Sequence, residues 1–175
     1  QARPLEGRSR EAWLQNMIAD HRFTAEELRL ASGMSMEEAT EVRNKVLAGL
    51  DALAREQDGL KVLPYPGGRH PRKGFLDGAI DPQRETKVSI FPPWKDGGYA
   101  VVDVPEAIFS NLGLTYLAHT HIPTIWSEQS IELEPLEWEV TADGLSLSRT
   151  LPNGIAFGSD VRIDNDVVEM GMTLT

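Results

Sequence analysis

A change of hydrophobic period part-way along the chain constrains the fold more than any other feature. Up to about residue 59, apolar side chains recur at the three- and four-residue spacing of a helix face. Beyond it they alternate with polar ones in short runs, each cut off by Asp, Asn, Gly or Pro. One element cannot satisfy both periods. A helical N-terminal module, residues 1–59, is therefore expected to precede a β domain spanning residues 60–175.

Three helices are expected in the first module. Trp13, Leu14, Met17 and Ile18 share one face of the first. Thr24 and Glu27 have the spacing of a capping box, in which each residue's side chain satisfies the other's free backbone donor. The second helix should end at Ser32-Gly33. Ser35 and Glu38 repeat the device before a third helix with a stripe through Ala39, Val42, Val46, Leu50 and Leu53. The last two helices resemble a helix-turn-helix. Arg29, however, stands where that motif wants a small buried residue, and Glu37, Glu38 and Glu41 would repel phosphates. A structural module is the expectation.

In the second part, strands are expected over residues 60–63, 84–91, 114–121, 131–134, 136–140, 145–148, 155–158 and 167–175, with a buried strand at 99–104. Residues 105–111 are expected to make one helical turn. Short strands separated by turn residues predict an antiparallel β-sandwich. One-sided alternation places one face in the core and the other in water or a cleft. The final run, Val168, Met170, Met172 and Leu174 against Glu169, Gly171, Thr173 and Thr175, stops without a turn or polar tail. The sandwich is accordingly expected to be incomplete at its C-terminus.

Charge narrows the partners. The chain carries a formal −10, and residues 105–175 hold only 2 Lys/Arg against 11 Asp/Glu. An acidic half disfavours nucleic acid and anionic membranes, and no apolar run is long enough to span a bilayer. With no cysteine, disulfides, thiolate metal sites and cysteine nucleophiles are all excluded.

The main candidate site is His119 and His121. On a strand, their two imidazoles project from one face. As metal ligands they would need a third partner, for which Glu128, His70 and Glu85 are candidates. A cupin would place a glutamate a few residues after the second histidine; here the first acid is Glu128, and the cupin glycine is missing. As acid/base groups the histidines, with Glu128, suit proton transfer near neutral pH. The Pro/Gly-rich loop before them brings Arg69, His70 and Arg72 to grip a carboxylate, phosphate or sugar hydroxyl. Arg84 and Glu85 are adjacent on an expected strand and so point to opposite faces. Trp94 and Trp126 would offer flat walls to a sugar ring, or else fill the core.

From Leu63 onward the chain resembles an uncharacterised bacterial protein family. The resemblance rests on successive blocks: Leu63-Pro64-Tyr65-Pro66-Gly67-Gly68-Arg69-His70-Pro71-Arg72, Gly74-Phe75-Leu76-Asp77-Gly78-Ala79-Ile80, Gln83-Arg84-Glu85-Thr86-Lys87, Leu117-Ala118-His119-Thr120-His121 and Leu151-Pro152-Asn153-Gly154-Ile155-Ala156-Phe157-Gly158. It implies a domain continuing past Thr175 and carries no activity with it. The strand-rich half is also distantly similar to the β-sandwiches of sugar mutarotases, at the level of fold alone. The leading expectation is a carbohydrate-binding or carbohydrate-active protein with a polar cleft on a β-sandwich. A metal-dependent enzyme using a divalent ion at His119 and His121 is the first alternative, and a non-catalytic interaction module the second.

Overall fold

The computed structural model describes residues 7–51, 59–66, 86–94, 97–118, 122–133 and 136–175. These fall into two compact units, with the helices in one and the strands in the other.

In the helical unit, α1 (Gly7–Gln15) runs into a π-helical turn at Asn16–Asp20. His21 closes that turn. Its backbone N–H, at 2.9 Å, and its Nδ1–H, at 3.0 Å, both donate to the Asn16 carbonyl. A carbonyl can only accept, so the proton of that bond sits on Nδ1. Helix α2 (Ala25–Ser32) begins with the expected capping box. Glu27 N–H donates to Thr24 Oγ1 at 3.2 Å, and Thr24 N–H to Glu27 Oε2 at 2.8 Å. Gly33 ends it at φ 73, a left-handed conformation that only glycine adopts freely. Ser35 and Glu38 cap α3 (Met36–Asp51) in the same way, at 3.2 and 3.0 Å. Arg43 Nε donates to the Phe23 carbonyl at 2.8 Å and ties α3 to the turn before α2. Trp13, Leu14, Met17 and Ile18 pack with Phe23, Leu28, Ala31 and Ala39 in one apolar cluster, as the helical stripe predicts. None of the described helices is long and apolar enough to cross a membrane.

The second unit is antiparallel throughout the described strands. β1 (Lys61–Pro64), β2 (Lys87–Phe91) and β3 (Ala100–Asp103) form a sheet in that order. β4 (Ala107–Ser110) and β5 (Gly113–Tyr116) form a hairpin. β6 (Glu139–Val140), β7 (Gly144–Thr150), β8 (Ala156–Asp164) and β9 (Val167–Leu174) form a four-stranded sheet, again in chain order. One core joins them. Val62 and Val88 of the first sheet pack with Ile108, Leu117, Trp126 and Trp138, and with Leu145, Leu147, Phe157 and Val161 of the large sheet. The result is a helical module followed by a β-sandwich-like arrangement.

Local chemistry sets the hairpins. At Gly144 a Cβ would lie 1.9 Å from the Val161 carbonyl oxygen, so only glycine lets β7 start against β8 there. Asn165, at φ 53, makes the turn from β8 to β9, a conformation asparagine tolerates better than most residues.

Several expected elements are corrected. Residues 107–110 are strand β4 rather than part of a helical turn: Ile108 pairs with Thr115 and Phe109 with Leu114. The Pro-Glu start at Pro105 looks like a helix opening, but the following Ala-Ile-Phe run finds a strand partner in Leu114–Tyr116, and pairing overrides local propensity. The run at 99–104 is not a buried strand. Among the described residues β3 is the last strand of its sheet, with its residues exposed or half-buried, and of this run only Val104 beyond it is buried. Residues 131–133 make no ladder, and of 136–140 only Glu139 and Val140 pair. The expected strand 114–121 stops at Tyr116. The Leu117 and Ala118 N–H groups instead both donate to the Glu106 carbonyl, at 2.9 and 3.1 Å.

β2 is also shielded on both faces, where alternation predicted a one-sided strand. Val88 faces the core at 0 % exposure, yet Lys87, Ser89 and Phe91 on the opposite face are only 2, 0 and 6 % exposed. Lys87 Nζ donates to Asp103 Oδ1, directly across the ladder on β3. A buried ammonium needs such a partner, because its desolvation otherwise costs several kcal/mol.

Candidate functional site

The long strands β7 and β8 position a polar concavity on the face of the large sheet that points away from the core. Paired residues in an antiparallel ladder share a face, and the face alternates along each strand. Leu145, Leu147, Phe157 and Val161 therefore enter the core, and their neighbours line the other side. Three cross-strand rows result. Glu139, Ser146, Asp160 and Gly171 form one; Ser148, Gly158 and Thr173 form the next; Gly144, Arg162 and Glu169 form the third.

Small residues make the surface concave. A Cβ on Gly171 would meet Asp160 Oδ2 at 2.2 Å, and one on Gly158 would meet Thr173 Oγ1 at 2.8 Å. The glycines thus let the Asp160 and Thr173 side chains lie across the sheet. The hollow is open and holds about 480 Å³, lined by Glu139, Thr141, Asp143, Ser146, Ser148, Asp160, Arg162 and Thr173 among others.

Its polar groups are partly oriented. Arg162 Nη2 donates to Asp160 Oδ1 at 3.3 Å. Thr141 Oγ1 donates to Asp143 Oδ1 at 3.0 Å. The Arg162–Asp160 pair is exposed, 57 and 38 % for the two side chains, so it contributes little to stability and stays available to a ligand. Three carboxylates against one guanidinium leave the hollow anionic. Chemically, it offers hydroxyls that both donate and accept, carboxylates that accept, and one planar donor.

His119, His121, Arg69, His70, Arg72, Arg84 and Glu85 lie outside the described residues. Glu128 is exposed on a short 3₁₀ turn, Ser127–Gln129. Trp126, immediately before it, is 3 % exposed and belongs to the core, so its ring forms no ligand wall. Trp94 is 71 % exposed, on a turn closed by the Gly97 N–H donating to its carbonyl. Among the described residues, no group of three His, Asp or Glu side chains is placed to hold a metal ion. Neither the hollow nor the Lys87–Asp103 pair was picked out by motif. The hollow's signal was the run of small polar residues on alternate positions, Ser146, Ser148, Gly158, Asp160 and Arg162.

Comparison with protein-family models, with curated proteins and with solved structures finds no match to this chain.

Proposed function

We propose that this is a carbohydrate-binding protein whose binding face is the outer surface of the β6–β9 sheet. The observation that carries the reading is the hollow itself: the hydroxyls of Thr141, Ser146, Ser148 and Thr173, three carboxylates and Arg162 arrayed over small residues on a sheet. A sugar ring presents alternating donors and acceptors at the spacing of such groups, and a preformed sheet surface binds without first ordering a loop. The surplus of carboxylates favours neutral sugars over uronic acids.

Thermal unfolding with and without neutral mono- and oligosaccharides, and with uronic acids, tests this. A ligand at about a hundred times its Kd stabilises by about 2.7 kcal/mol. A neutral sugar should raise Tm, a uronic acid should not, and Arg162→Ala should abolish the rise. A flat response to the whole panel removes the carbohydrate reading and favours an interaction module.

A further inference from the structure

β9 ends the four-stranded sheet, and among the described residues no strand lies on its outer edge. We infer that this edge pairs with the β9 edge of a second copy of the chain, giving a two-fold dimer with one continuous sheet. The argument rests on which groups face outward and on what a two-fold axis would bring opposite them.

Thr175 and Ala156 exchange both backbone bonds, at 2.8 and 2.9 Å. Because antiparallel ladders alternate, Thr173, Gly171 and Glu169 then bond inward to β8. Val168, Met170, Met172 and Leu174 turn their N–H and C=O groups to the open edge. In an antiparallel pair of β9 strands with the axis at Gly171, Met170 meets Met172 of the second copy and Val168 meets Leu174. All four outward-facing residues are then used, for about eight hydrogen bonds. Shifting the axis by one residue toward the turn before β9 sets Leu174 opposite Asp166, outside the strand, and loses a quarter of them.

Side chains agree with that register. Met170, Met172 and Leu174 lie on the core side of the sheet, paired with Val161, Ser159 and Phe157, yet are 50, 53 and 50 % exposed. The pairing joins these two apolar stripes. On the other side Glu169, the strand's one charge, falls opposite Thr173 and not opposite its own copy. Soluble proteins usually blunt an exposed edge of this length with Lys, Pro or a bulge, and β9 carries no Lys or Pro. The axis stands perpendicular to the sheet, so both polar hollows open on the same face.

The absence of cysteine in the chain makes the register directly testable. In the predicted pairing, residue 169 of one copy and 173 of the other form a non-hydrogen-bonded pair, with Cα atoms about 4.5 Å apart, within disulfide reach. Within one strand the same positions are about 13 Å apart. The double variant Glu169→Cys, Thr173→Cys should give a covalent dimer under mild oxidation, and each single variant should not. Sedimentation velocity of the unmodified chain should show a concentration-dependent dimer, and Met170→Lys should remove it. Thermal unfolding of Met170→Lys controls for loss of fold. Thr173→Lys, placed opposite Glu169, should tighten the dimer, while Thr173→Glu should weaken it. A chain monomeric to millimolar concentration, cross-linking by a single variant, or a dimer indifferent to the charge at 173 would each overturn the inference.

Discussion

Removing Asp103 should destabilise the strand unit far more than removing the lysine it serves. Lys87 is 2 % exposed at the middle strand of its sheet, whereas Asp103 sits on the edge strand with 24 % of its side chain open. Asp103→Ala leaves an ammonium buried without its counter-charge, a situation that costs about 3–5 kcal/mol. Lys87→Met keeps the volume and leaves a carboxylate that water can reach, for about 1 kcal/mol. The double variant has neither charge and should fall near the Lys87→Met value, so the two changes are non-additive by about 2 kcal/mol or more. Urea unfolding measures this. Trp13 lies in the helical unit, so a Trp13→Phe background makes tryptophan emission report on the strand unit through Trp94, Trp126 and Trp138. If Asp103→Ala costs less than about 1 kcal/mol, or the two single effects add, the pair is not the buried partnership described and the reasoning fails.

Two further expectations concern the tryptophans and the caps. Trp126→Ala should cost about 3–5 kcal/mol by opening the core, while Trp94→Ala, at 71 % exposure, should leave urea stability unchanged; equal effects would contradict the placement of the two rings. Ser35→Ala should cost about 1 kcal/mol of helical-unit stability through loss of the α3 cap, followed by far-UV circular dichroism on urea titration. The Ser35 backbone N–H, and then its hydroxyl, hold the Glu38 carboxyl below its ordinary value of 4.5. A depressed folded-state value means that the Glu38 contribution is complete above pH 4.5 and fades as pH falls through the lower, folded value. The stability of the helical unit should therefore fall as pH drops below 4.5, the fall should be shallower in Glu38→Gln, and Ser35→Ala should flatten the same region of the profile; equal slopes in all three would refute the assignment.

Features written in local chemistry were legible before the structure. Thr24 with Glu27 and Ser35 with Glu38 need only residues three apart, and Gly33 needs only its own backbone freedom. The turns before β7 and β9 were likewise visible in Asp143-Gly144 and Asn165-Asp166. What escaped reading depends on distant partners. β4 is a strand because β5 comes back to meet it, and 99–104 is half-open because, among the described residues, no further strand follows β3 in its sheet. Lys87 sits in a run that alternates like a one-sided strand, and nothing near it in sequence announces that Asp103 will arrive across the ladder. The hollow was hidden for a different reason. Its residues are small and individually unremarkable, whereas histidines and tryptophans attract notice singly; Trp126 did so and proved to be a core residue.

β8 carries two messages interleaved at period two. Phe157 and Val161 serve the core, while Gly158, Asp160 and Arg162 serve the hollow, with β7 and β9 bonded on either side. Substitution can therefore change the lining of the hollow at the even positions while leaving packing at the odd ones untouched. Insertion or deletion cannot: a single added residue would send Asp160 toward the apolar interior and Val161 into water, exchanging the two sets at once. The strand is thus open to change in spelling and closed to change in length, and any variation in the size of this protein's β unit has to be absorbed in its turns.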